Sequence, residues 1–326
     1  MIFTFLMTMK RLKIRACKSG AHQSVVSSAV HFPHMTPLRN LLLSAGVLLL
    51  ASCSEKGPKI NFDNNTIVDT TYLSGAETAA EKHVLVEEFT GVKCSNCPTG
   101  HLVLKNFADQ YPGRLSILGY QVYGNDQTKP IEGTGEHRTR TDNRNEEATQ
   151  VGNAIFGGVP ALPVAAIDRS PVAGSLLGNR TVWAGAVADR MAKAAPVNLT
   201  ITSSYDNATR QATVKVRAAY TAAVAGKQRL TLALSESGIV DAQESTDTVY
   251  FEYDHEHVLR DFMTSPEGDP VLDKLASKEV GRVYERTFVF LLNSAWKPEN
   301  CSLVAFVHQA EGTNKEILQS AEVKLK

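Results

Sequence analysis

Cys94 and Cys97 stand three positions apart in Lys93-Cys94-Ser95-Asn96-Cys97-Pro98, near enough to close a small disulfide ring. Such a pair does chemistry when one sulfur is held as a thiolate, and the flanking segments supply that condition. Before it, His83-Val84-Leu85-Val86-Glu87-Glu88-Phe89-Thr90 is apolar and β-branched and predicts a buried strand. After it, His101-Leu102-Val103-Leu104-Lys105-Asn106-Phe107-Ala108 has the pattern of an amphipathic helix. The positive end of a helix favours a thiolate over a thiol, and Lys93 adds to that field. Thiol-disulfide exchange is the reaction this arrangement suits. Two other readings stay open. In an oxidising compartment the pair is an inert disulfide. With His101 one helical turn after Cys97, the site Cys94, Cys97 and His101 could instead hold copper(I) or zinc.

The compartment follows from residues 41–52, an apolar run of twelve that ends at Cys53. It falls short of the roughly 20 residues that span a bilayer but suits a signal-peptide core. Leu50-Ala51-Ser52-Cys53 resembles the bacterial lipobox, whose cysteine is lipidated and becomes the first mature residue. Residues 1–52 are therefore a signal segment. Its working part is 35–52, opening at Met35 with Arg39 as its positive charge, and 1–34 is an over-extended gene start. Cys53 would fix the protein to a membrane through its lipid.

Without residues 1–52 the chain has 274 residues, with 28 basic and 34 acidic side chains. A net charge near −6 excludes a nucleic-acid partner and suits an exported protein whose partners are cell-envelope proteins. Four cysteines remain, too few to staple the fold. Cys301 precedes an apolar strand and reads as a buried small side chain. No cofactor is expected.

These residues must be positioned by larger units. Residues 53–82 are polar with turn punctuation and read as a flexible tether. Residues 83–195 alternate strands with helices: strands over 83–90, 114–123 and 163–168, helices after Cys97, over 146–156 and over 181–195. Residues 124–145 read as a surface excursion between them. From 196 to 326 the period becomes two, as in Val197-Asn198-Leu199-Thr200-Ile201-Thr202, which predicts an antiparallel β-sandwich broken by a polar loop with one helical turn over 261–280. The fold class is thus α/β plus all-β, two units meeting at Ala195-Pro196 and expected to fold independently. His255 and His257 would lie on one side of a strand, where they could chelate a metal but read rather as structural residues hydrogen-bonded with Arg260. Trp183 and Trp296 read as packing residues.

Glu88-Phe89-Thr90-Gly91-Val92-Lys93-Cys94-Ser95-Asn96-Cys97 resembles the active-site strand of thioredoxin, in which an acid followed by phenylalanine lies six positions before the first cysteine. The resemblance departs at Lys93, where tryptophan is usual, and at Ser95-Asn96, where Gly-Pro is usual. It implies that Cys94 attacks, Cys97 resolves and Glu88 moves a proton. It also implies a cis-proline facing the dithiol, for which Pro163, at the head of a strand, is preferred to Pro160.

The mature chain as a whole is similar to the outer membrane protein twenty-eight family of lipoproteins from Bacteroides-type bacteria. The matching segments are Val84 to Gly91 leading into Cys-x-x-Cys-Pro, Pro163 to Arg169, Ala195-Pro196-Val197-Asn198-Leu199, and Tyr253-Asp254-His255-Glu256-His257-Val258-Leu259-Arg260. That likeness implies a thioredoxin-like domain, an immunoglobulin-like sandwich and an outer-membrane anchor, without a settled activity. A non-catalytic surface lipoprotein that binds a partner through its sandwich is the rival to an oxidoreductase.

Overall fold

The computed structural model describes residues 68–135 and 138–326. The signal segment, Cys53 and the start of the tether lie outside the described residues. In chain order the strands are β1 (Val68–Leu73), β2 (Val84–Phe89), β3 (Leu115–Tyr120), β4 (Val164–Ile167), β5 (Val197–Asp206), β6 (Gln211–Tyr220), β7 (Val224–Ala225), β8 (Gln228–Glu236), β9 (Ile239–Glu244), β10 (Val249–His255), β11 (Val258–Phe262), β12 (Asp269–Val271), β13 (Ser277–Lys278), β14 (Arg282–Leu291), β15 (Cys301–Gln309) and β16 (Ile317–Lys324). The helices are α1 (Cys97–Gln110), α2 (Glu146–Ala154) and α3 (Arg180–Met191).

β2 is buried at all six positions because both of its faces are covered, so its apolar residues Val84, Leu85, Val86 and Phe89 fall on both sides of the strand. It pairs parallel with β3 and antiparallel with β4. On one face Val84, Val86 and Ile117 pack with Leu104 of α1 and with Trp183 and Val187 of α3. On the other, Leu85, Phe89 and Tyr120 pack with Ala148 and Val151 of α2. Beyond residue 196 the alternation of Val197, Leu199 and Ile201 turns one side of β5 inward. The sheet β1-β14-β6-β5 is antiparallel throughout and packs on β8, β15 and β16 around an apolar core that includes Leu232, Phe288 and Leu303.

The two patterns share one sheet, ordered β16-β15-β8-β11-β3-β2-β4 with β12 beside β8. The splice is β11, antiparallel to β8 and parallel to β3 at Val258 opposite Gly119. Gly119 eases the close approach here: its amide donates to the His257 carbonyl at 2.8 Å, and a Cβ would make a tight contact of 3.3 Å with that oxygen. The apolar cluster under this joint takes Leu85, Phe89 and Tyr120 from one side and Ala233, Leu259, Phe262, Val304, Phe306 and Ile317 from the other. Sheet and core both run across Ala195-Pro196.

The expected tether is corrected in its last part. Residues 68–73 are β1, an edge strand on β14, with Arg286 donating to Asp69 at 2.7 Å. Lys82 is buried, bound to Asp168 at 2.9 Å and to the Ile317 carbonyl at 3.0 Å. The helical turn expected within 261–280 is also corrected, since that stretch holds the end of β11 and the short strands β12 and β13. The 124–145 excursion is anchored at both ends by buried Thr128 and Asn143.

Candidate functional site

The dithiol sits where β2 ends and α1 begins. The Cys94 amide donates to the Gly91 carbonyl and the Cys97 amide to the Cys94 carbonyl, both at 3.0 Å, forming the tight turn that enters the helix. Pro98 occupies the first turn of α1, where its missing N–H costs nothing. Cys94 and Cys97 form a disulfide, and both residues are 0% exposed. Two distant segments are bonded to the turn that carries them. Gln243 of β9 donates its side-chain amide to the carbonyls of Gly91 (3.1 Å) and Cys94 (3.3 Å), while the Glu244 amide donates to the Val92 carbonyl at 2.8 Å. From the excursion, the Gln127 carbonyl accepts from the Lys93 amide at 2.8 Å. A Cβ on Gly91 would lie 2.4 Å from that same oxygen, so only glycine allows the two backbones to close.

Glu88 lies beneath α1. A Cβ on Gly100 would come within 3.0 Å of Glu88 Oε1 and 3.2 Å of Pro163 Cγ, which places helix, carboxyl and proline in contact. The Leu162–Pro163 peptide bond is cis. Glu88 is buried, its Oε1 has no hydrogen-bond partner, and its Oε2 stands 3.7 Å from His101 Nε2. Burial raises its carboxyl to about 8. His101 is held from both ring nitrogens, Nε2 by Thr90 Oγ1 at 2.8 Å and Nδ1 by Tyr253 OH at 2.7 Å. Burial pushes it down to about 3, with His255 and His257 adding to the effect. The metal reading of Cys94, Cys97 and His101 has little left to work with. The closed disulfide offers no thiolate, and His101 has no free nitrogen. Among the described residues no group of three His, Cys, Asp or Glu side chains is placed to hold a metal ion.

Adjacent Glu87 faces the other way and is paired completely. Arg169 donates to its two oxygens at 2.7 Å each, and Tyr120 OH donates to Oε1 at 3.1 Å. The guanidinium lies 5.1 Å from the Phe306 ring of β15. Next to it Asp168 binds Lys82 and Arg190, and Arg190 reaches Glu316 at 2.6 Å. The sequence shows Asp168-Arg169 only as the end of a strand. Their partners lie about 20 to 90 residues away, so no local spacing betrays them. Thr90, Tyr253 and Gln243 were likewise silent as site residues.

His255 and His257 do not share a strand face. His255 ends β10 and is buried, whereas His257 has φ +58° in the turn to β11 and its amide donates to Ser237 Oγ at 3.0 Å. Arg260 donates to Glu236 at 2.8 Å and to Asn143 at 3.1 Å, which ties the excursion to the sheet. Cys301 is buried at the head of β15 and its thiol is pushed up to about 12, chiefly by burial. Trp183 is fully buried, and Trp296 packs against the sandwich core.

A chain that splices a helix-covered sheet into an antiparallel sandwich, with a closed dithiol at the first helix, can be set beside known proteins. The sequence model of the outer membrane protein Omp28 family matches residues 154–326, and the chain belongs to that family. The protein is thereby an outer-membrane protein. Among the described residues no helix is long and apolar enough to cross a membrane.

Among solved structures, HBP35 of Porphyromonas gingivalis superposes with a TM-score of 0.57 at 17% identity, over 76% of this chain and 77% of that one. At such identity the likeness concerns the fold alone. An Agrobacterium tumefaciens protein gives 0.45 at 16% identity, over 77% of this chain and 97% of its own. A domain of the outer membrane lipoprotein Omp28 from Porphyromonas gingivalis gives 0.28 at 17% identity, over 40% and 89%. No curated protein matches the chain.

Proposed function

We propose that this protein is an outer-membrane lipoprotein, anchored through a lipid on Cys53, that binds a cell-envelope partner and keeps the Cys94–Cys97 disulfide as a structural element. The observation that carries this reading is the complete burial of Cys94 and Cys97, in a turn to which Gln243 and the Gln127 segment are hydrogen-bonded. Disulfide exchange needs a thiolate to approach one sulfur along the S–S axis, and a buried disulfide denies that approach. The first unit is thioredoxin-like in this reading, supported by β2 lying between parallel β3 and antiparallel β4, with Pro163 heading β4. The second is immunoglobulin-like, supported by the antiparallel sheet β1-β14-β6-β5 packed on the antiparallel strands β8, β15 and β16. Its edge strand β1 leaves Tyr72 and Leu73 exposed (42% and 59%), a surface suited to a partner.

The rival reading, thiol-disulfide exchange on envelope proteins, is favoured by one feature. Glu88 lies under Gly100 beside Pro163 with a carboxyl near 8, which suits proton transfer at neutral pH. In that reaction the Cys94 thiolate attacks a substrate disulfide and expels one substrate thiolate. Cys97, deprotonated by Glu88, then displaces the second and closes the ring. The buried turn would have to open first.

Reduction kinetics decide between the two. In dithiothreitol the native disulfide should open only at the rate of local unfolding, far below that of a solvent-exposed disulfide, and Cys97→Ser should trap no envelope protein. Rapid reduction with selective alkylation of Cys94 and trapped mixed disulfides would install the oxidoreductase instead. For the anchor, mass spectrometry of membrane-extracted protein should find a diacylglyceryl group on an N-terminus at residue 53, and Cys53→Ala should release the protein.

A further inference from the structure

Outside the dithiol, α1 borders a cavity of about 650 Å³, within the range of roughly 300–1,000 Å³ typical of small-molecule sites. Glu88 and Ile117 line it from the sheet, Leu104 and Ala108 from the helix, and Tyr253 from β10. Neither cysteine lines it, so the cavity can be probed with the disulfide closed.

Three features define its chemistry. Pro98, Leu102, Leu104, Ala108, Ile117 and the Tyr253 ring give it an apolar wall, which suits an apolar body. Glu88, only 3% exposed, lines the cavity with a carboxyl that has no cationic partner, its nearest titratable neighbour being His101 at 3.7 Å. The outer lining carries three carboxylates, Asp109, Asp254 and Glu256, against one ammonium, Lys105, which is already tied to Asp109 at 2.8 Å. That field draws cations in and turns anions away.

We propose that this cavity binds an amphipathic organic cation, a primary ammonium group on an apolar chain or ring, with the ammonium paired to Glu88 and the apolar part between Leu104, Ala108, Ile117 and Tyr253. The ammonium supplies the counter-charge that the Glu88 carboxyl lacks, and the Tyr253 ring lines the same cavity. His101 stays neutral beside it and does not oppose the charge.

Binding then carries a proton signature. Glu88 is protonated at pH 7, and pairing with an ammonium releases close to one proton per ligand, whichever partner keeps the shared one. The groups that face it are His101, Lys105 and Asp109 on α1, and Tyr253, Asp254, Glu256 and His257 opposite. Its strand neighbours Gly119 and Ala165 carry no charge.

Calorimetry of the mature protein with hexylammonium, hexanol and hexanoate, in two buffers of different ionisation enthalpy, tests this. Hexylammonium should bind about tenfold or more tighter than hexanol, hexanoate should bind worst, and affinity should rise with pH and level off near 8. Glu88→Gln should abolish the proton release and reduce hexylammonium to the level of hexanol. The double variant Asp254→Asn, Glu256→Gln should weaken it by a smaller, salt-dependent factor while the proton release persists. Equal affinity for hexanol, a preference for hexanoate, no binding, or a proton release that survives Glu88→Gln would each overturn the proposal. Should Glu88→Gln fail to fold, the proton count and pH profile of the unaltered protein decide alone.

Discussion

Glu87 and Glu88 are consecutive in one strand and equally removed from water, yet the molecule treats them in opposite ways. Alternation along β2 sends them to opposite faces. Glu87 meets a bidentate guanidinium and a phenol, so its charge is compensated within hydrogen-bond distance. Glu88 meets an imidazole at 3.7 Å and a cavity, and its carboxyl rises to about 8. Burial is common to both, so the partner decides the outcome. The paired face is also the face that joins the two halves of the chain, since Arg169 rests against Phe306 of β15. The unpaired face is the one that opens to a ligand. Structure was spent on one side of the sheet and chemistry was left possible on the other.

The largest effect should come from removing the far half of the paired face. A chain ending at residue 195 loses Ala233, Leu259, Phe262, Val304, Phe306 and Ile317 from the shared cluster, and the His257 carbonyl from Gly119. Alternating patterns on either side of Ala195-Pro196 suggest units that stand alone; the shared sheet leads to the opposite expectation. Residues 83–195 alone should give a collapsed amide spectrum. A dispersed one would mean that the paired face needs nothing from the sandwich.

Next comes the pair itself. Arg169→Met leaves Glu87 buried without its cation and should cost roughly 3–5 kcal/mol in urea unfolding. Adding Glu87→Leu should restore much of that loss, because the cost lies in the stranded charge. If the single variant loses under about 1 kcal/mol, Glu87 is compensated by other groups and the contrast with Glu88 dissolves.

The sequence exposes one side of this contrast better than the other. The strand 83–90, the helix after Cys97 and the strands of the sandwich announce themselves through periodicity, a signal carried by neighbours in the chain. The disulfide is legible for the same reason, as its two cysteines and their helix are contiguous. What binds its turn is not: Gln243 lies about 150 residues from Cys94, and nothing in Asp241-Ala242-Gln243-Glu244 marks an amide aimed at a distant carbonyl. β1 stayed hidden in the tether because Val68-Asp69-Thr70-Thr71-Tyr72-Leu73 is an edge strand, whose polar composition resembles a linker. Glu88 could be singled out from its place before the cysteines. The cavity beside it could not, since a void depends on what fails to fill space.

Glu88 should next reveal itself through pH. A carboxyl whose folded value lies near 8 against about 4.5 unfolded binds its proton more tightly in the folded state. Its contribution is complete below pH 4.5 and is lost as pH rises toward 8, by up to about 1.4 kcal/mol per pH unit. Glu147, also raised to about 8, acts with the same sign. His83 and His101, lowered to about 4 and about 3, act oppositely below 6.5, losing stability as pH falls. The informative quantity is therefore the difference between the native chain and Glu88→Gln across pH 5–8. It should narrow as pH rises and then favour glutamine. A difference flat with pH would mean that Glu88 ionises normally, and the two faces would no longer contrast.

The smallest effect separates burial from contact as the cause. Tyr253 OH is 2.7 Å from His101 Nδ1, and a phenol is the stronger donor, so we assign the ring proton to Nε2, directed at Thr90 Oγ1. Tyr253→Phe removes that donor and leaves Nδ1 unpaired, which should cost about 1 kcal/mol in urea unfolding. Nitrogen chemical shifts of His101 should show the proton redistributing between the two ring positions. The pH profile of Glu88 should not move, because its carboxyl is raised by burial, and a phenyl ring in that place would exclude water as well as the phenol does. If the profile instead shifts by a full pH unit, the imidazole is polarising the carboxyl across the 3.7 Å gap. Glu88, His101 and Tyr253 would then act as one network, and the apparent isolation of Glu88 would be the wrong half of the comparison.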